Sequence, residues 1–113
     1  MSPVAMADPI SAIEVAEHRD RGEAVVVDMR PQVVRHQGSL PGAVVVEPSE
    51  LDTAFGPDSD KRIPAICALD TEIDVVSVNS QAARIAQQIA AMGYTNVHYV
   101  DGGFSALQSA LPR

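Results

Sequence analysis

Apolar runs alternate with amphipathic stretches along most of this chain. Four runs lack polar alternation and are mostly aliphatic, which is typical of parallel strands that are covered on both faces. They are predicted strands at residues 24–28, 43–46, 63–69 and 96–100. No internal repeat or linker interrupts the series.

The stretches between these runs carry helix signals. Ser11 and Glu14 fit a capping box, so a helix is predicted from Ser11 to about Arg21, where Gly22 can close it. A short helix is predicted over residues 49–55. The longest predicted helix covers residues 80–92, because apolar side chains recur there at helical spacing before a closing glycine.

Alternating helices and apolar strands indicate an α/β protein with a mostly parallel central sheet and helices on both of its faces. At 113 residues the chain has the size of one domain. We expect a lead-in over residues 1–9 and a single domain over residues 10–113.

Fifteen acidic and eight basic side chains give a net charge of −7, which argues against binding to nucleic acid or to an anionic membrane surface. The single cysteine cannot form an internal disulfide, and the N-terminus lacks the features of a secretory signal. A cytoplasmic setting is therefore expected. No cofactor is predicted.

Two segments resemble the rhodanese family. Residues 25–43, VVVDMRPQVVRHQGSLPGA, are similar to a strand ending in Asp-x-Arg that leads to a Gly-His-Ile-Pro-Gly-Ala motif. Residues 93–107, GYTNVHYVDGGFSAL, resemble the family's closing segment. The resemblance covers roughly residues 10–112 and implies a three-layer rhodanese-like sandwich. It assigns structural motif roles to five residues: Asp28, Arg30, Gly42, Gly102 and Gly103.

The resemblance also implies a chemistry. Rhodaneses carry a cysteine at the end of a central strand, and the loop that follows forms an anion cradle with the next helix N-terminus. Such a site lowers the thiol pKa and stabilises a persulfide formed from a donor such as thiosulfate. Cys67 is the only candidate for this catalytic role.

The chain departs from the family at this place. Counting back from Gly93 by the family's usual helix and loop length leads to about Val76, which is nine positions beyond Cys67. Either the loop is longer than usual, or valine fills the cysteine position. Neither glycine nor arginine occurs in residues 67–83.

The location of Cys67 has two interpretations. Proline cannot donate to a sheet ladder, so Pro64 fits best at the start of a strand. That register makes Cys67 a small core side chain, which we favour because free cysteines are among the most buried residues. Aligning Lys61 and Arg62 with the family's strand entry instead places Cys67 at the strand end.

The residues after Cys67 are predicted to form a long acidic loop that binds a partner or ligand. Its carboxylates would raise a thiol pKa and repel thiosulfate. Asp70, Glu72 and Asp74 alternate, so their carboxylates could lie on one side of an extended segment and attract a hard cation. A solvated acidic loop explains the pattern better, and no metal site is predicted. The candidate binding residues are Asp70, Glu72, Asp74, Ser77, Asn79 and Ser80.

These observations favour a catalytically degenerate rhodanese-like domain that acts as a binding or regulatory module. It would bind a protein partner or a small sulfur-containing or anionic ligand at the edge of the sheet that carries the loop. The alternative is an active thiosulfate-type sulfurtransferase with Cys67 as persulfide carrier. A phosphatase or arsenate reductase relative fits poorly, because position six after Cys67 is Ile73 instead of arginine.

Overall fold

The computed structural model describes residues 7–30, 40, 42–56, 63, 66, 68–77 and 81–110. Within these residues the chain forms a five-stranded sheet in the order β1-β5-β4-β2-β3, and every pair of neighbouring strands is parallel. The strands are β1 (Asp8–Ile10), β2 (Ala24–Asp28), β3 (Val44–Val45), β4 (Glu72–Val76) and β5 (Val97–Val100). The predicted α/β class with a parallel central sheet is confirmed.

Helices cover both faces of the sheet. They are α1 (Ala12–Asp20), α2 (Leu51–Phe55), α3 (Gln81–Ala91) and α4 (Gly103–Ala110), with a 3-10 turn at Pro48–Glu50 before α2. The Ser11 hydroxyl accepts a hydrogen bond from the Glu14 backbone N–H at 3.2 Å, so the predicted start of α1 is confirmed.

Each face of the sheet packs its own core. One core joins α2 and α3 to inward side chains such as Val27, Ile73 and Val75. The other joins α1 and α4 to Val26, Val76 and other side chains of the opposite face. Because successive side chains of a strand point to opposite faces, β4 contributes to both cores.

The predictions around β4 are wrong. Residues 63–69 are predicted to form a strand, but the residues described there lie in turns: the Ile66 N–H donates to the Ile63 carbonyl, and the Thr71 N–H donates to the Ala68 carbonyl. Glu72–Val76, predicted to be part of an acidic loop, is the central strand. Its β-branched Ile73, Val75 and Val76 suit a buried strand better than the proline and alanines of the earlier run.

The predicted lead-in is wrong at its end. Asp8–Ile10 forms an edge strand that pairs with β5, with Pro9 opposite Tyr99. An edge strand tolerates proline, because one side of it needs no backbone donor. Three residues carry too little local signal for a strand, so the partner strand decides the conformation.

Candidate functional site

The carboxyl ends of β2 and β4 lie side by side and hold the segments that follow them. The Met29 N–H donates to the Val76 carbonyl at 2.8 Å, and the Ser77 hydroxyl donates to the Met29 carbonyl at 3.3 Å. This carboxyl edge is where open parallel sheets bind ligands. It is therefore the candidate functional site.

A buried ion pair supports the segment after β2. The Asp28 carboxylate accepts hydrogen bonds from Arg30 Nη2 at 2.7 Å, from Nε at 2.9 Å and from the backbone N–H at 3.1 Å. Both residues are 1% exposed. The hydrogen bond predicted between them is present, and the guanidinium charge at this edge is already paired with a carboxylate.

Helix α4 packs against the carboxyl edge, where it contacts the residues that follow β2 and β4. The Arg30 guanidinium lies 3.7 Å from the centre of the Phe104 ring, a cation–π contact. Gly103 has a φ of +66°, and a Cβ there would lie 3.4 Å from the Ser77 carbonyl oxygen. Gly103 thus supplies the left-handed conformation at the start of α4, where its backbone lies against the end of β4.

Gly42 has a different role from the edge glycines. Its φ is +79°, and a Cβ at this position would meet the Arg19 guanidinium at 3.2 Å. Gly42 therefore supplies a left-handed turn beside α1.

The predicted binding residues that the structure describes are spread along β4 and its two ends. Asp70 is exposed in a turn before β4, while Ser77 is buried after the strand. Glu72 and Asp74 lie within β4. Asn79 and Ser80 lie outside the described residues, as does Cys67, so their binding or catalytic roles stay predictions.

The described neighbours of Cys67 lie away from the carboxyl edge. Ala68 begins the turn that enters β4, and its N–H donates to the Thr71 hydroxyl at 3.2 Å. The Thr95 N–H, just before β5, donates to the Leu69 carbonyl at 2.9 Å. Because parallel strands start at the same edge, residues 68–71 lie at the amino edge of the sheet.

A second group of ionisable side chains joins β4 to α1. His18 Nδ1 lies 2.9 Å and 3.0 Å from the two carboxylate oxygens of Glu72. The hydrogen bond to Glu72 raises the pKa of His18 despite a smaller opposing effect of burial. Although burial alone would raise it, hydrogen bonds with Asp74 and His18 hold the pKa of Glu72 below its usual value.

Asp74 is the most perturbed of these groups. Its side chain is 0% exposed. Burial, and then the hydrogen bond and the negative charge of Glu72, raise the pKa of Asp74 to about 9. The sequence analysis did not identify His18 as the partner of Glu72. The spacing of three between Val15, which is buried, and His18 was an available signal, since it places both on the inner side of α1.

Neither a metal cluster nor a membrane span occurs in the described part of the chain. It contains no group of three or more His, Cys, Asp or Glu residues that could hold a metal ion. None of its helices is both long enough and apolar enough to cross a membrane.

Comparison with protein families gives one match. The sequence profile of the family described as "Rhodanese-like domain" matches residues 11–110. A comparison with curated proteins finds no match.

Solved structures share the fold. A protein from Rhodopseudomonas palustris, described as a possible tyrosine phosphatase, has a TM-score of 0.77 at 21% identity, over 92% of this chain and 81% of that one. The human single-domain sulfurtransferase TSTD1 has a TM-score of 0.74 at 20% identity, over 94% of this chain and 99% of its own.

A larger enzyme contains a similar unit. A thiosulfate sulfurtransferase from Pseudomonas aeruginosa has a TM-score of 0.71 at 23% identity, covering 99% of this chain and 20% of the enzyme. At sequence identities of 20–23%, the structural similarity to these proteins shows that the fold is shared.

Proposed function

The chain belongs to the rhodanese-like domain family, and we propose that it is a member that lacks the sulfur-transfer site and acts as a binding or regulatory module. Its carboxyl edge would bind a protein partner or a small sulfur-containing or anionic ligand. A reducing, cytoplasmic setting is part of this proposal, because the chain has a single cysteine.

The residue at the end of β4 is the observation that carries the proposal. In the family, a cysteine ends the central strand and the loop after it enters a helix. Here the central strand ends at Val76, with Ser77 after it and α3 beginning at Gln81. This supports the interpretation in which valine fills the cysteine position and the loop is not lengthened.

The charges at the edge support the same conclusion. Arg30, the described cation there, is buried and paired with Asp28. The position six after Cys67, where phosphatase-type loops end in arginine, is Ile73, a 0% exposed core side chain of β4. An anionic substrate therefore gains little from these side chains, and a protein partner is the favoured occupant.

A thiosulfate:cyanide sulfur-transfer assay tests the loss of activity. We expect the wild type to form thiocyanate no faster than Cys67→Ser, because Cys67 precedes β4 in the chain instead of ending it. Mass spectrometry after incubation with thiosulfate should find no added sulfur on Cys67. Turnover that disappears in Cys67→Ser would instead establish the alternative, an active sulfurtransferase with Cys67 as persulfide carrier.

Backbone NMR with thiosulfate as the probe tests the kind of ligand. If a protein partner is the occupant, thiosulfate should leave the amide signals of Ser77 and Gly103 unchanged. Saturable shifts confined to these two amides and their neighbours would establish a small-anion site at the carboxyl edge. The amide of Asp70, at the amino edge of the sheet, is the internal control for non-specific effects of salt.

A further inference from the structure

The Asp74 carboxyl group is enclosed within the face of the sheet that α1 and α4 cover. It is opposite Val26 on β2 and His98 on β5 in the strand register. Both of its oxygens are buried, and no donor among the described residues reaches either one. A carboxylate in such surroundings is unfavourable, because it has lost water without gaining a donor.

Asp74 lies between two contacts with α1. Glu72, Asp74 and Val76 point to the same face of β4, since side chains alternate along a strand. On one side of Asp74, Glu72 binds His18 of α1; on the other, Val76 packs in the same core as Val15 of α1. Lifting α1 from the sheet would therefore expose the Asp74 carboxyl to water.

The hydrogen bond between the Glu72 and Asp74 carboxyl groups requires a proton on one of them. Asp74 is within hydrogen-bonding reach of Glu72. Two ionised carboxylates have acceptors only, so a hydrogen bond between them needs one proton. The Glu72 carboxylate is held in its charged form by His18, which leaves the proton on Asp74.

We propose that the proton on Asp74 holds α1 against the sheet, an arrangement that we call the latch. As the pH rises, α1 should therefore separate from the sheet more readily. In the docked state a neutral Asp74 donates to the Glu72 carboxylate, which accepts from His18. When α1 lifts, Asp74 enters water as a carboxylate and its proton passes to the solvent. The proton balance alone makes the equilibrium depend on pH.

The other groups around Asp74 define what else can titrate. On α1 these are His18 and, acting on His18, Glu14; Glu23 acts on it from the turn after α1. On β5, His98 faces Asp74, with its Nε2 bonded to the Asn96 amide oxygen at 2.8 Å. On β2, Val26 is apolar, and Asp28 points to the same face, where it is buried and paired with Arg30. The side chains that α4 brings to the core of this face, such as Leu107, are apolar.

Amide hydrogen exchange followed by NMR tests the latch. The protection factor reports the opening equilibrium once intrinsic exchange rates are divided out. Between pH 6 and 8 we expect the protection of α1 amides to fall on the order of tenfold per pH unit from the Asp74 proton. His18, which also releases a proton on opening, adds to this slope over part of the range.

Substitutions assign the proton to Asp74. In Asp74→Asn the slope for α1 should decrease by about one proton, while Asp20→Asn, the same change at an exposed carboxylate on α1, should keep the wild-type slope. Asp74→Val, which matches the apolar neighbours of this face, replaces the asparagine variant if that one does not fold.

Three results would overturn the latch. The first is α1 protection in the wild type that does not depend on pH. The second is a slope that persists unchanged in both Asp74 variants. The third is equal protection of α1 and α3 amides at every pH, since α1 would then leave the sheet only when the whole domain unfolds.

Discussion

Individual charged residues differ greatly in what they contribute to this fold, because their exposure differs. Asp28 and Arg30 form three hydrogen bonds inside the protein, whereas Arg21 and Glu23 meet at 3.7 Å on the surface. Removing one partner of a buried pair leaves an uncompensated charge in a weakly polar environment. An exposed pair is screened by water and contributes little.

We therefore expect Asp28→Asn to destabilise the domain by about 3 kcal/mol, because Arg30 stays buried without its counter-charge. Glu23→Gln is the matched control and should cost less than about 1 kcal/mol. Urea denaturation measures both values. Similar losses for the two variants would mean that the buried pair has no special role in stability.

Two glycines with positive φ allow the cost of backbone conformation to be separated from that of a close contact. Gly22 has a φ of +71°, and a Cβ added there would meet nothing within 4 Å. Gly102 has a φ of +83°, and a Cβ there would lie 2.7 Å from the Ala106 Cβ.

Gly22→Ala should cost about 1 kcal/mol, because only the left-handed backbone opposes the methyl group. Gly102→Ala should cost about 1 to 2 kcal/mol more, since the first turn of α4 must shift to relieve the contact. Thermal denaturation of both variants is the measurement. Equal losses would show that α4 adjusts without cost.

At the scale of elements, α1 is tied to the central strand by the polar bridge from His18 to Glu72, beside its apolar contacts. The raised pKa of His18 means that the folded protein binds this proton more tightly than the unfolded chain does. The stability that results is fully present below the ordinary histidine pKa of about 6.5 and is lost as the pH rises through the folded value.

His18→Gln should therefore destabilise the domain most near pH 6, with the difference from wild type shrinking as the pH rises towards 9. Chemical denaturation at several pH values gives the comparison. Arg21→Gln is the control: this exposed side chain at the end of α1 pairs only loosely with Glu23, at 3.7 Å, so its effect should not change with pH. A pH-independent loss in His18→Gln would show that the imidazole acts through packing alone.

For the whole molecule, the buried Asp74 carboxyl makes a pH-dependent contribution to stability. Its pKa of about 9 in the folded protein lies above the ordinary value of 3.8, so the folded state binds more protons than the unfolded state between these limits. Stability contributed by this group is complete below the ordinary pKa and declines as the pH rises.

The free energy of unfolding of the wild type should accordingly decrease from pH 5 to pH 8, by up to about 1.4 kcal/mol per pH unit for one proton. Asp74→Asn should remove most of this decrease and be more stable than the wild type at pH 8. Urea denaturation of both proteins across this pH range measures the two free energies of unfolding. Parallel curves for the two proteins would mean that Asp74 ionises while it is buried.

Much of the architecture could be predicted from the sequence, because it depends on local signals. The capping box at Ser11 begins α1, the helical spacing of apolar residues defines α3, and the aliphatic runs before Asp28 and Val100 form strands. The resemblance of residues 25–43 and 93–107 to rhodaneses then indicated the family, which the profile match over residues 11–110 shows.

Only the tertiary structure decided which segment forms the central strand. The run at residues 63–69 is more apolar, whereas Glu72–Val76 contains two acids, so hydrophobicity along the chain favoured the wrong segment. Glu72 contacts His18 of α1, which lies 54 positions away in the sequence. Asp74 is buried on the face of the sheet that α1 covers. The long-range contacts that make an acidic strand acceptable in a core cannot be read from local patterns.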